Sequence, residues 1–350
     1  MIVKKKILFA ASIIKLFFIC SIFLNSIADT VNKKYYPEES GILALIYHRF
    51  GEEKHPSTNI RLDVFEKQIE IIKRSNINFY NPQDLKNNFH KPKKNREILI
   101  TIDDAFLSFY ENAWPIFKKN KIPFILFVST ETVGKYGYMN WKQILEIESY
   151  NFAFIGNHSH SHEYLINFSD DKFREDIDKS IEIFKLNLGY NPIYFSYPFG
   201  EYSLKHQEYI SENFEFGFGQ HSGVIDLNKN KYELPRFPIN EKYGKLERFS
   251  KIIKYLPLQY KKITPIDKFI SKFDYPPDVE IEFFKEQKNI KNINCFSNEG
   301  GKWKSSNIHI NNNILKVKFT EKFTFRRGRV NCTLNDISGW RFLGIQFTIN

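Results

Sequence analysis

The 350-residue chain is 42% apolar and 26% charged, which excludes a disordered polymer and supplies core enough for one large domain or two ordinary ones, two being the reading adopted. Its net charge of +11 fits an anionic envelope, but Lys, Asn and Ile are abundant throughout. Without a basic cluster interleaved with aromatics, the charge gives no case for nucleic acid.

The first stretch, MIVKKKILFAASIIKLFFICSIFLNSIADT, has a basic start, an apolar run to Leu24, and small residues Ser26 and Ala28 at the −3 and −1 positions of a cleavage site. This reads as a signal over residues 1–28, followed by a linker over 29–40, and implies export to a periplasm, the exterior or the envelope. Lys15 interrupts the apolar run and weakens a membrane span, so a membrane enters only if the signal is kept as an anchor. Bulky Phe17, Phe18 and Ile19 before Cys20 argue against lipidation. Cleavage removes four Lys and no acids, lowering the charge to +7, and leaves Cys295 and Cys332, which fit either one disulfide or two buried thiols. Nothing in the sequence addresses oligomerisation.

From Gly41 short apolar runs alternate with amphipathic stretches. GILALIYH reads as a strand, and Leu62, Phe65, Ile69 and Ile72 have helical spacing. Further strands are expected at residues 97–103 (EILITID), 122–129 (IPFILFVS), 152–156 (FAFIG), 193–200 (IYFSYPFG) and 214–219 (FEFGFG), with a helix from Asp170 to Leu188. Alternation of this kind implies an α/β fold with parallel strands, as a barrel or a doubly wound sheet. After the Tyr275-Pro276-Pro277 break the character changes to short alternating runs rich in Asn and Gly, so residues 278–350 read as a small C-terminal all-β domain. The expected division is a domain over 41–265, a linker over 266–277, and that β domain.

Two stretches carry chemistry. ILITIDDAF ends a buried strand with adjacent carboxylates, Asp103 and Asp104, which need a cation, donors or water. IGNHSHSHEYL follows another strand and holds His158, His160 and His162. Parallel strands bring both loops to one cleft. A helical turn would put His158 and His162 on one side with His160 elsewhere, whereas an extended segment would let all three share a side. Two imidazoles and one carboxylate suit Zn²⁺, with Co²⁺, Ni²⁺ or Fe²⁺ possible by ligand type. The second Asp is then available to take a proton from an attacking water.

On these residues the chain resembles the polysaccharide deacetylases, carbohydrate esterase family four. TIDD (101–104) is similar to the family's Thr-Phe-Asp-Asp motif, and HSHSH (158–162) to its His-Ser/Thr-x-x-His motif. The resemblance implies Asp103 as base, Asp104, His158 and His162 as metal ligands, His160 at a variable position, and a distorted (β/α) barrel of about seven strands. FSYPFGEYS resembles the loop that walls the groove, giving Tyr197, Pro198 and Phe199 as substrate-binding candidates, with the Phe199 N–H aimed at an oxyanion. Trp141 resembles an aromatic found before the histidine motif; it fits a groove wall or an ordinary core position.

The family's base-orienting Arg has no match in that loop, and its Leu-x-x-His motif, carrying the general acid, is not visible. Arg236, in ELPRFPIN, is the candidate to steady Asp103. His48 and His221 are the candidates for the acid, His48 preferred because it ends the first strand. The function implied is metal-dependent removal of N-acetyl groups from an N-acetylglucosamine-containing polysaccharide. The alternatives are an O-acetyl polysaccharide esterase, and a carbohydrate-binding protein on a disabled form of the fold; an intact base argues against the latter.

Overall fold

The computed structural model describes residues 41–91, 95–272 and 276–349. The expected signal and the linker after it lie outside the described residues. Among those described, no helix is long and apolar enough to cross a membrane.

Strands and helices alternate as β1 (Ile42–Tyr47), α1 (Leu62–Arg74), β2 (Glu97–Ile102), α2 (Trp114–Asn120), β3 (Phe124–Val128), α3 (Trp141–Glu148), β4 (Ala153–Asn157), α4 (Asp170–Leu188), β5 (Tyr194–Ser196), α5 (Leu204–Asn213), β6 (Phe216–Phe218), β7 (Phe237–Pro238) and α6 (Leu246–Ile252). The strands pair in the order β7-β1-β2-β3-β4-β5-β6, every pair parallel, and Asn78–Phe79 adds to β2 at the strand's start. A parallel bridge from Phe218 to Leu234, just before β7, brings the two ends together. The sheet is therefore a distorted barrel, the closed alternative of the two expected.

Local sequence explains the elements. β1, β2 and β3 are apolar on both faces because side chains fill the barrel inside and helices cover it outside. Along α1, Phe65, Ile69 and Ile72 form the buried stripe. Helix α4 starts where Ser169 accepts a hydrogen bond from the Lys172 N–H and stops at Gly189, which is left-handed. Strand β5 is shorter than the run from 193 to 200 suggests, because Pro198 has no N–H to donate and the chain turns into a 3₁₀ helix over Pro198–Gly200.

The C-terminal part is strand-rich. Continuing the numbering, β8 is Leu256–Pro257, β9 Lys262–Thr264, β10 Phe269–Ile270, β11 Val279–Glu282, β12 Asn294–Ser297, β13 Lys304–Ser305, β14 Asn307–Asn311, β15 Ile314–Lys318, β16 Arg327–Asp336 and β17 Gly339–Ile349. One sheet runs β8-β17-β16-β12-β13, with β10 also on β17; the other runs β9-β11-β15-β14. Between them lies a second apolar core that includes Ile281, Leu315, Val330 and Phe347. Cys295 and Cys332 face each other across β12 and β16 and are joined by a disulfide.

A candidate metal centre at the strand ends

Parallel pairing puts every strand's C-terminal end on one side of the barrel. Tyr47 pairs with Ile102 and Asn157 with Phe195, so His48, Asp103, His158 and the loop after Ser196 emerge together. The backbone there is strained. Asp104, Ala105, Ser159, His162 and Phe199, five of the ten described non-glycine residues with positive φ, all stand at this end.

Asp104 Oδ1 lies 3.4 Å from His158 Nε2 and 3.1 Å from His162 Nε2. The three ligand atoms fall within 4.8 Å of one another. His158 is wholly buried, and its Nδ1 sits 2.7 Å from the Ser196 carbonyl oxygen, to which it donates, leaving the Nε2 lone pair directed at the cluster. His158 Nε2 and Asp104 Oδ1 are buried without a hydrogen-bond partner. Orphaned acceptors of this kind are costly unless something electropositive completes them, so the donor set fits a divalent cation. Burial opposes ionisation of Asp104, but His158 and His162 outweigh it and hold the carboxyl well below its usual range.

The histidine segment makes neither a helical turn nor an extended strand. It is a loop tied by side chains: Ser159 N–H donates to Asn157 Oδ1 at 2.8 Å, and His162 N–H to Ser159 Oγ at 3.1 Å. The Asp176 carboxylate, from α4, accepts from the N–H groups of His160 and Ser161 at 2.9 and 3.0 Å. Left-handed Ser159 and His162 turn the chain so that His158 and His162 converge. His160 points away, with Nδ1 2.9 Å from Thr130 Oγ1.

Asp103 stands beside this cluster, fully buried, with Oδ2 3.6 Å from His158 Nε2. Arg236, also fully buried, grips it with both arms, Nη1 to Oδ1 at 2.7 Å and Nη2 to Oδ2 at 3.0 Å. The guanidinium is itself fixed by Thr101 Oγ1, Ser196 Oγ and the Gly219 carbonyl. Burial would raise the carboxyl's pKa, but the Arg236 charge and then His158 pull it below the ordinary value.

His48 lines the cleft above the cluster. Burial lowers its pKa against the opposing pull of Asp104 and Asp103. His221 instead lines a separate small cavity with Tyr202 and Leu258. Phe199 is on the cleft wall, where its ring meets His162 edge-on at 4.9 Å and Tyr164 face-on at 4.2 Å. Its left-handed turn needs Gly200 next, because a Cβ there would come within 2.5 Å of the Gln220 nitrogen. Tyr197 and Pro198 are buried and do not line the cleft; Tyr197 packs among Phe195 and Tyr202. Trp141 stands at the start of α3, edge-on to Phe184 at 5.8 Å, on the outer side of the core and away from the cleft lining. Sequence reasoning missed Ser196, Asp176 and Asn157. Only the position of Ser196 within the FSYPFG stretch offered a signal.

An Asp-His-His cluster that could hold a divalent cation and an Arg-clamped carboxylate therefore stand together at the strand ends of a parallel barrel. Residues 90–214 match the family model described as polysaccharide deacetylase. Over 249 residues the chain is 27% identical to the poly-beta-1,6-N-acetyl-D-glucosamine N-deacetylase of Staphylococcus aureus (strain NCTC 8325), covering 62% of this chain and 84% of that one. The Staphylococcus epidermidis enzyme of the same name is 24% identical over 246 residues, 62% of this chain and 85% of its own. In fold it is similar to IcaB from Ammonifex degensii (TM-score 0.53, 23% identity, 62% of this chain and 98% of that one). It also resembles the Streptococcus pyogenes deacetylase PplD in complex with acetate (TM-score 0.53, 23% identity, 57% and 93%).

Proposed function

We propose that this protein is a metal-dependent hydrolase of carbon–nitrogen bonds that removes N-acetyl groups from an N-acetylglucosamine-containing polysaccharide. The observation that carries the reading is the pairing of a buried, Arg-gripped Asp103 with the Asp104, His158 and His162 cluster on the floor of an open cleft. Similarity to deacetylases acting on poly-beta-1,6-N-acetyl-D-glucosamine supports the substrate class.

Asp104, His158 and His162 would hold the cation, Zn²⁺ by donor type. When bound, it supplies Lewis acidity toward water and the acetyl carbonyl. Asp103, kept ionised by Arg236, accepts the proton of the attacking water. Arg236 is thus a positioning residue. The Phe199 N–H, carried on its strained turn, is the donor for the developing oxyanion. His48, which lines the same cleft, is the candidate to protonate the leaving amine.

The test is acetate release by protein loaded with Zn²⁺, Co²⁺, Ni²⁺ or Fe²⁺, against poly-β-1,6-N-acetylglucosamine, chitin oligomers, peptidoglycan and acetylxylan, with Asp103→Asn in parallel. Release from an amide-linked glycan that vanishes in Asp103→Asn supports the reading. Release from acetylxylan alone converts it to an esterase, and undiminished release by Asp103→Asn removes the proposed base.

A further inference from the structure

The cleft above the metal cluster has a volume of about 870 Å³ and is not built by the barrel alone. Strand β16 sends Arg327, Arg329 and Asn331 to its wall on alternate positions, while the intervening Gly328, Val330 and Cys332 are buried. Trp303, half-exposed, joins them. These residues share the cleft with Asp104, His162 and Phe199.

The wall is anchored to the catalytic loop. Gln346, on β17, donates to the carbonyls of Gly200 and Phe199 at 3.0 and 3.4 Å, and Arg327 donates to the Phe199 carbonyl at 3.4 Å. Arg326 pairs with buried Glu201 at 2.7 Å and lies over the Tyr164 ring.

Its charge is only partly compensated. Glu201 is closest to Arg326 and reaches Arg327 at 3.6 Å, whereas Arg329 has no carboxylate partner among the described residues, and its Nε donates to the neutral Gln346 side chain. Burial and neighbouring Arg327 both work against the Arg329 charge. Elsewhere on the cleft lining, Lys251 is paired with Glu247, but Lys245 and Arg248 have no carboxylate partner among the described residues. Arg326, Arg327 and Arg329 thus share the single carboxylate of Glu201, and this part-buried face of a ligand-sized cleft keeps an excess of positive charge that an anionic ligand can offset.

We propose that the C-terminal sheet is a specificity wall of the active site, on which Arg327 and Arg329 bind an oxyanion, carboxylate or phosphate, carried by the glycan beside the acetamido sugar, while Trp303 stacks on a sugar face. The proposal rests on the deacetylase reading and narrows its substrate to an anionic acetylated glycan. Aromatic stacking is indifferent to charge, so the two parts separate experimentally.

The full chain carrying Asp103→Asn, loaded with Zn²⁺, is titrated with three N-acetylglucosamine oligomers: neutral β-1,6-linked, alternating with glucuronic acid, and joined by phosphodiesters. At least one anionic oligomer binds roughly tenfold more tightly than the neutral one, as expected for charge-assisted hydrogen bonds. The arm that responds identifies carboxylate or phosphate. Added Arg327→Gln and Arg329→Gln bring the ratio toward one, while Trp303→Ala weakens all arms alike. Arg329→Gln alone, which keeps a donor for Gln346, gives the same reduction in part should the double variant unfold. Equal binding of all three oligomers, or a preference that survives both Arg substitutions, overturns the proposal. Separately, wild-type protein that releases acetate from none of them removes the deacetylase reading, while the binding ratio still decides the wall.

Discussion

Replacing Arg236 by Ala tests whether the guanidinium exists to serve Asp103. Both partners are fully buried and bound through two contacts of 2.7 and 3.0 Å. Removing one side strands a carboxylate in the barrel interior, a change that costs about 3–5 kcal/mol. The donors from Arg236 to Thr101, Ser196 and Gly219 go with it. Loss of an oriented base lowers the rate by about 10²–10⁴. The assay combines urea unfolding, metal content by mass spectrometry, and acetate release. Arg236→Ala keeps its metal, because the guanidinium hydrogen-bonds to Asp103, Thr101, Ser196 and Gly219 and to none of Asp104, His158 and His162, but loses stability and activity together. Adding Asp103→Asn restores much of the stability, since no charge is then stranded, and costs no further activity. If Arg236→Ala keeps wild-type turnover, or if the double variant is no more stable than Arg236→Ala, the clamp is not what holds the base.

Alanine at Asp104, His158 or His162 abolishes the stabilisation on adding Zn²⁺, about 2.7 kcal/mol for an intact site at a hundredfold excess over Kd and read as a rise in melting temperature; a retained shift in any of the three contradicts the ligand set. Asp176→Ala removes two backbone anchors of the histidine loop and weakens metal affinity by roughly 10–100-fold, read by competition with a chelator; unchanged affinity would show that the loop holds its shape without them. His206, 5% exposed and stacked on Phe173 at 3.9 Å, has its pKa lowered to about 4 by burial. The unfolded chain takes up that proton near pH 6.5 and the folded one does not, so this contribution is complete above pH 6.5 and declines toward pH 4. The loss is about 2 kcal/mol at pH 5. His206→Phe flattens the difference in unfolding free energy between pH 7 and pH 5 by that amount, and an unaltered difference would refute the assignment.

The strand-helix alternation was legible in the sequence because apolar periodicity is a local property. Asp170 to Leu188, with Ser before it and Gly after it, carried its own boundaries. Asp103, Asp104, His158 and His162 stood out for a related reason, since paired carboxylates and clustered imidazoles at the ends of apolar strands are conspicuous wherever the chain goes next. Arg236 was picked out through the family resemblance, because the base-orienting Arg has no match in the FSYPFG stretch and ELPRFPIN stands near the place of the last motif.

What the sequence alone determined, then, was which segments form the strands and helices of the barrel, and it singled out the side chains that are candidates for chemistry. The tertiary structure decided how they meet. The histidine loop bends because Asp176, 14 to 18 residues further along and on another element, ties its backbone, and Trp141 turned toward Phe184 because that side of α3 faces the core. The cleft wall shows this most clearly, since Arg327 and Arg329 reach the same space as His162 from more than 160 residues away. Contacts between distant segments depend on how sheets and helices pack, and no local pattern encodes them.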